Sequence, residues 1–594
     1  MSARRPVDAT NQNAELVLMS GGLGVVFLGA GGAWVAVHGA ALINHTPAPP
    51  SNPADVVVGL ATGHVAWSPA ATGVAIAFTA VVLALGAAIV VAVARRARGR
   101  MRPDRAIAHL GRGRDIAHLT ERGVRNKSKR LGVASDVPGL PLAKHLGSGQ
   151  TIWASWEDML LLIAGPRTQK TTAWVVPRIL DAPGAVVVTS NKPDVVAATR
   201  DPRAAVGRTW IFDPQGVAEE PQQWWWDPLS YVTDEMRAAK LAAQFGASAR
   251  IPGASLNSFF EGEGEDLVAL LLLAAAKSGQ PIPIVYTWLT EPANPAPVGA
   301  LREASYPMQA DSLAAMAGLV DETRDGLYAS ARALVRFLRS PAMMAWVTPP
   351  ASGIPQFSPA NFAETRDTLY LLSREGEGSA GPLVAALTVA VVEAAEQLAT
   401  RSPHGRLSVP FVAILDEAAN ICRFKNLDSY YSHFGSRGII IHTILQNWAQ
   451  GEEVWGKIGM EKLWSAANIK VYGGGVDDDR FLGRLSALLG EYDYVARSSS
   501  KSTGSRTISR SVQRRSILTV ADLRDLPPGR AVLLASGTPP VLVEPQPWYT
   551  GPHEAEIQAS IDAHSGPANP FLKQVAMNAP LSSSKTDREG SDDE

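Results

Sequence analysis

Cysteine is almost absent from this chain of 594 residues: Cys422 is the single one. No intrachain disulfide framework can exist, which fits a soluble part kept in a reducing compartment, and Cys422 itself reads as a small buried hydrophobe. Net charge is nearly absent as well. A formal value of −1 excludes a chain that is basic all over, so any contact with nucleic acid has to come from local patches. The length excludes a single hydrophobic core. Lysine and arginine are missing from residues 44–73, and charge of either sign is missing from Leu16 to Leu42 and from Val74 to Val93.

Each of those two uncharged runs is long enough to cross a hydrocarbon core about 30 Å thick at ~1.5 Å per residue. The first has no small-residue cleavage site followed by a secreted domain, and the second is itself a full span, which argues for two transmembrane helices over a signal peptide. The many glycines of the first run suit close helix packing within a membrane. Orientation follows from the flanks. Arg4 and Arg5 precede the first span, Arg95, Arg96, Arg98, Arg100 and Arg102 follow the second, and the connecting loop has no basic residue, so both termini are expected in the cytoplasm of a multi-pass membrane protein. From Arg95 to Arg130 there are 13 basic residues against 3 acidic ones, a segment suited to anionic lipid more than to DNA.

Beyond this connector, short apolar runs alternate with helical stretches, the pattern of a parallel sheet covered by helices on both faces. "MLLLIA", "GAVVVTS", "RTWIFD", "DTLYLLS", "FVAILDE", "GIIIHTILQ" and "IKVYGG" are the strand candidates, and none alternates, as expected of strands buried on both sides. The strand signal fades between residues 233 and 347, where the periodicity predicts helices only. The expected organisation is α/β: an anchor at 1–105 with spans at about 16–42 and 74–93, a nucleotide-binding domain at 106–232 and 348–560, an all-α insertion at 233–347, and a disordered tail at 561–594. Residues 496–515 are Ser-rich and basic, and read as a mobile loop or a loose hairpin.

One glycine is missing where chemistry would want it. The stretch "AGPRTQKTT" fits a strand–loop–helix phosphate-binding pattern at Ala164, Lys170 and Thr171, but Gln169 stands where that pattern has glycine. In such a loop the backbone N–H groups of Ala164, Gly165, Pro166 (which lacks one), Arg167, Thr168, Gln169, Lys170, Thr171 and Thr172 would surround ATP phosphates at a helix start. Lys170 suits the β and γ phosphates and the Thr171 hydroxyl suits Mg2+. A second signal supports the first: "FVAILDE" puts Asp416 and Glu417 at the end of an apolar strand, the arrangement in which an aspartate joins the magnesium shell and a glutamate polarises the attacking water. Gln446, at the tip of "GIIIHTILQ", is either a γ-phosphate sensor or a buried glutamine bonded to backbone.

Taken in order, the two spans, "AGPRTQKTT", the helical stretch after "FDPQG", "LDEAANI", "SRGIIIHTILQ" and "AANIKVYGGG" resemble the type IV secretion coupling proteins, the TraG/TraD family of conjugative DNA-transfer ATPases. The resemblance covers nearly the whole chain. It implies a RecA-like P-loop domain interrupted by an all-α domain, six subunits in a ring, ATP and Mg2+ between neighbours, and single-stranded DNA with a relaxase passed to type IV secretion channel components. It also implies roles for Lys170, Thr171, Asp416, Glu417 as catalytic carboxylate, and Gln446 as sensor. Arg437 in "FGSRGI" stands two residues from the family's usual place for a trans-acting arginine, where this chain has Gly435.

Two features stay outside that frame. Trp224, Trp225 and Trp226 could stack on bases, but a wedge between the helical segment and the α/β domain is the better expectation. The acidic run from Phe259 to Leu267 is accounted for as a helix start. Two other functions compete: a nucleotide-binding membrane receptor that recruits the transfer substrate without hydrolysis, kept open by Gln169, and a double-stranded DNA motor similar to the FtsK-like septal translocases, disfavoured by two spans and a helical insertion.

Overall fold

A computed structural model describes residues 29–98, 101–249, 258–351, 353–502 and 505–564. The chain divides into two compact units, one ending at Met101 and the other beginning at Arg102. In the first, helices run over Gly29–Ile43, Pro53–Ala61 and Pro69–Arg98. The stretch Pro69–Ala88 is long and apolar enough to cross a membrane. Of the first expected span, residues 16–28 lie outside the described residues. Small residues bring its remainder close to the second helix: Ala36, Ala40 and Ala71 form one buried cluster, and a Cβ added to Gly39 would sit 2.9 Å from Val74. The loop between them is not wholly irregular, because Asn52 caps and Pro53 starts the short helix Pro53–Ala61.

The second unit is built on an eleven-stranded mixed sheet and a separate hairpin. Its strands are β1 (Leu140–His145), β2 (Thr151–Ala154), β3 (Leu160–Ile163), β4 (Val186–Ser190), β5 (Thr209–Phe212), β6 (Thr368–Leu372), β7 (Phe411–Leu415), β8 (Ile439–Leu445), β9 (Ile469–Tyr472), β10 (Glu491–Ser502), β11 (Ser505–Ser516), β12 (Ala531–Ala535) and β13 (Val541–Pro545). All seven runs picked from the sequence are strands, and they lie side by side in the order β9-β3-β8-β7-β4-β6-β5, every pair parallel. Every residue of β3, β4, β6, β7 and β8 is buried, which is why their sequences do not alternate. The sheet continues past β9 through antiparallel β12, β13, β1 and β2, four strands that the sequence reading did not find. Of the two expectations for residues 496–515, the hairpin holds: β10 and β11 pair in unbroken register from Glu491–Ser516 to Ser502–Ser505.

Between β5 and β6 the described chain is helical from Glu235–Ala249 to Pro341–Val347. These helices share a hydrophobic core with the sheet's helices, Phe245 and Leu271 belonging to the same cluster as Leu383 and Leu415. Helix Gly381–Arg401 is apolar and long enough to span a bilayer, but it is mostly buried as a core helix. The triple tryptophan is the wedge. Trp224 is 2% exposed, donates its indole N–H to the Ile211 carbonyl at 3.1 Å, and packs against Trp210, Trp346 and Phe357 at ring distances of 5.1–5.8 Å. Trp226 is wholly buried and Trp225 half-buried. At the other end, helix Glu554–His564 runs four residues into the segment expected to be a disordered tail, anchored by buried Ile557 and Ile561; residues 565–594 lie outside the described residues.

Trp224→Ala is expected to lower the stability of the second unit by about 3–5 kcal/mol, read as an earlier denaturant midpoint of the detergent-solubilised chain. A variant that keeps its midpoint and instead loses affinity for single-stranded DNA would assign the residue to base stacking.

Candidate nucleotide site

β3 sits between β8 and β9, so the turn that follows Ile163 emerges at the carboxyl edge of the parallel strands. Ligands bind at that edge in open parallel sheets. The loop leans on its neighbours by backbone contact: the Ala164 N–H donates to the Leu445 carbonyl at 3.0 Å, and that of Gly165 to the Gly474 carbonyl at 2.9 Å. A Cβ on Gly165 would fall 1.7 Å from the Gly475 carbonyl oxygen, so no side chain fits there. The glycines of "VYGGG" are thus needed as the surface on which the loop rests.

Gln169 adopts φ 64°, ψ 26°, the left-handed region that the missing glycine would take without strain. Arg167 is also left-handed, at φ 59°. The Gln169 side-chain amide donates to the hydroxyl of Tyr549 at 3.1 Å. The helix expected after the loop begins as a π-type turn, Lys170–Val175, and continues as an α-helix, Val176–Asp181. Pro166 and Arg167 are exposed, Thr168, Thr171 and Thr172 half-buried, and Lys170 buried.

The opposite wall comes from β7, whose end carries Asp416 at 4% and Glu417 at 8% exposure. The Thr189 hydroxyl of β4 donates to the Asp416 carbonyl at 2.8 Å, tying the two strand ends together. Lys170 Nζ donates to the Ala164 carbonyl at 3.0 Å and lies 3.7 Å from Glu417 Oε1. Gln446 donates its amide to Glu417 Oε2 at 2.8 Å, so its side chain serves the carboxylate rather than backbone. Asn420 reaches the same oxygen at 3.4 Å. Burial, and then the charge of Glu417, push the Asp416 carboxyl up to about 7, against the pull of Lys170. Asp194, first residue of the helix Asp194–Ala204, adds a further negative charge and is itself raised, chiefly by burial.

These residues enclose a cavity of about 290 Å³, lined by residues 166–172, Ser190, Asn191, Lys192, Asp194, Asp416, Glu417 and Gln446. The loop, the carboxylate pair and Gln446, far apart in sequence, therefore meet. Ser190, Asn191, Lys192 and Asp194 were missed, although their place after the strand "GAVVVTS" was a signal that could have found them. Arg437 is not among the lining residues. It ends the short helix Phe434–Arg437 before β8, at the opposite edge of the sheet, and donates to the Gly405 carbonyl at 3.2 Å. The seven residues of β8 separate it from Gln446 by roughly 23 Å, so it is no part of this cavity within one chain. Cys422 is the inert buried thiol expected, pushed up to about 12 by burial.

Oxygen donors dominate the cavity, the chemistry that suits a hard cation. Among the described residues no group of three or more His, Cys, Asp or Glu side chains could hold a metal by itself.

Residues 410–528 match a protein family described as the TraM recognition site of TraD and TraG. No curated protein sequence matches the chain. Among solved structures, the bacterial conjugative coupling protein TrwBdeltaN70 in its unbound form aligns with a TM-score of 0.51 at 17% identity, over 71% of this chain and 91% of that one. TrwB in complex with the GTP analogue GDPNP gives 0.50 at 16%, and TrwB in complex with ADP and Mg2+ gives 0.50 at 17%, each over 71% of this chain and 92% of the other. At these identities the structural likeness establishes a shared fold. The chain is thus similar to the coupling proteins in two respects, a fold shared with TrwB and a match of residues 410–528 to the TraD and TraG family model.

Proposed function

We propose that the chain is a membrane-anchored ATPase that couples a DNA–relaxase substrate to a type IV secretion channel, ATP hydrolysis driving the transfer. One observation carries the reading: Lys170, Asp416, Glu417 and Gln446 converge on one cavity at the carboxyl edge of four neighbouring parallel strands. Lys170 supplies a buried positive charge for the β and γ phosphates, and the part of the loop from Arg167 to Thr172 supplies backbone donors. Thr171 and Asp416 would hold Mg2+, which when bound neutralises phosphate charge. Glu417 polarises the attacking water, with Gln446 and Asn420 fixing one of its oxygens. A homo-hexamer with ATP between neighbours and single-stranded DNA at its centre follows from likeness to the coupling proteins, as does an arginine contributed in trans; Arg437 remains the candidate for it.

Glu417→Gln is expected to keep ATP binding while turnover falls ~10²-fold or more, and Lys170→Ala to abolish turnover. Both are read by titration and phosphate release on the full chain in detergent. A wild-type chain that binds ATP but never hydrolyses it would be a nucleotide-dependent receptor for the transfer substrate instead.

The charge of Asp416 generates a pH dependence. Its carboxyl titrates near 3.8 when unfolded and near 7 in the fold, so in that window the folded chain holds a proton the unfolded chain does not. Raising pH through the window therefore weakens the fold, the loss levelling off once the pH is well above the folded value. Mg2+ needs the carboxylate, so Mg2+-dependent nucleotide affinity should climb from pH 6 to pH 8. In Asp416→Asn that climb should flatten.

For the anchor, the loop between the two apolar helices is placed outside the cell because it alone lacks basic residues. A cysteine at Ser68 in a Cys422→Ser background should react with an impermeant maleimide on intact cells; reaction only after lysis would overturn the two-span topology.

A further inference from the structure

The chain holds a left-handed glutamine where a phosphate loop would use glycine; its carbonyl accepts from the Thr172 hydroxyl at 3.2 Å, and its side chain reaches Tyr549, 380 positions later. Left-handed backbone at a residue with a Cβ costs free energy and persists only where the surroundings enforce it. Tyr549 is well placed to do so. It follows Trp548, which is buried in a small core with Val176, from the helix after the loop, and with Ala198, Ile557 and Ile561. The tyrosine ring packs against that core and against Trp548, centroids 5.7 Å apart.

The same C-terminal stretch grips the other wall of the cavity. Ser560 donates to the Ala197 carbonyl at 2.7 Å, and the His564 ring lies 2.8 Å from the Asp201 carboxylate, both on the helix that begins with Asp194. The hydroxyl of Tyr549 is thus held by covalent continuity and packing at a fixed distance from both walls, rather than on a free loop.

We infer that Tyr549 is a positioning residue of the nucleotide site: its hydroxyl, by accepting the Gln169 amide proton, holds position 169 in the left-handed conformation and so replaces the missing glycine. This rests on the reading of the cavity as a nucleotide site. Two consequences are specific to it. Removing the hydroxyl releases position 169 toward right-handed or extended backbone, from which nucleotide binding must recover it. With glycine at 169 the hydroxyl has nothing to hold.

The test is a double-mutant cycle on the detergent-solubilised full chain, with Tyr549→Phe, Gln169→Gly and the double variant, titrated with a fluorescent ATP analogue and Mg2+ and assayed for turnover. Tyr549→Phe is expected to raise the Kd and KM roughly 2- to 10-fold, the range of one net hydrogen bond, with kcat unchanged. In the Gln169→Gly background the same substitution should change neither. Equal weakening in both backgrounds, or none in either, overturns the inference. Amide exchange over residues 165–172 without nucleotide decides the matter independently. It should quicken in Tyr549→Phe and not between Gln169→Gly and the double variant; unchanged exchange in Tyr549→Phe overturns the inference even if ATP binds. Should the wild-type chain bind no nucleotide, the functional reading fails while this exchange comparison still tests the contact.

Discussion

One buried ammonium stands among three carboxylates, and the architecture of the second unit is what brings them together. Lys170 is 9% exposed and 3.7 Å from Glu417, while Asp416 and Asp194 crowd the same space. Each group follows a different strand: Lys170 after β3, Gln446 after β8, Glu417 after β7, Asp194 after β4, four adjacent members of the sheet. Their order in space is not their order in the chain. Only crossovers that bury every residue of these strands, with helices on both faces, can deliver the four ends to one edge. Burial, and after it the charge of Glu417, raises the Asp416 carboxyl against the pull of Lys170.

Such a site also needs unusual backbone. Three of the eight non-glycine residues with positive φ among the described residues, Arg167, Gln169 and Glu417, lie on the walls of this cavity. Glu417 is held at φ 52° with its carboxylate bonded to Gln446 and facing Lys170, so the strain and the charge pairing sustain one another. Clustering of this kind at a functional edge is where stored conformational cost is expected. In the same loop glycine is kept for close approach at Gly165, where the contact is with backbone and leaves no choice.

Much of this was legible in the sequence, for physical reasons. The seven central strands announce themselves because burial on both faces leaves uninterrupted apolar runs, and the carboxylate pair stands out because charge rarely follows such a run by chance. The four antiparallel strands β1, β2, β12 and β13 escaped notice because a strand such as Leu140–His145, half apolar and carrying Lys144 outward, reads like any loop. Trp224 resolved as packing because an indole with its N–H on the Ile211 carbonyl is fully satisfied inside the protein. Arg437 lies outside the cavity of its own chain because β8 carries the chain from one edge of the sheet to the other between Arg437 and Gln446. Tyr549 was invisible, since a contact across 380 residues leaves no local periodicity.

The missing glycine then takes on a different meaning. A motif specifies residue types, but the fold needs a backbone region, and any residue will serve if its neighbours stabilise that region enough. Gln169 occupies the left-handed region through a hydrogen bond that a glycine could never make, because glycine has no side chain to be held. Glycine leaves the loop free to sample other conformations, whereas a tethered glutamine ties the loop's shape to the C-terminal segment that carries Tyr549. That segment also grips the helix bearing Asp194, so the two walls of the cavity are mechanically joined through it. A substitution that looks like decay of the motif therefore adds a connection between the loop after β3 and the far end of the fold, one that the glycine form of the motif cannot have.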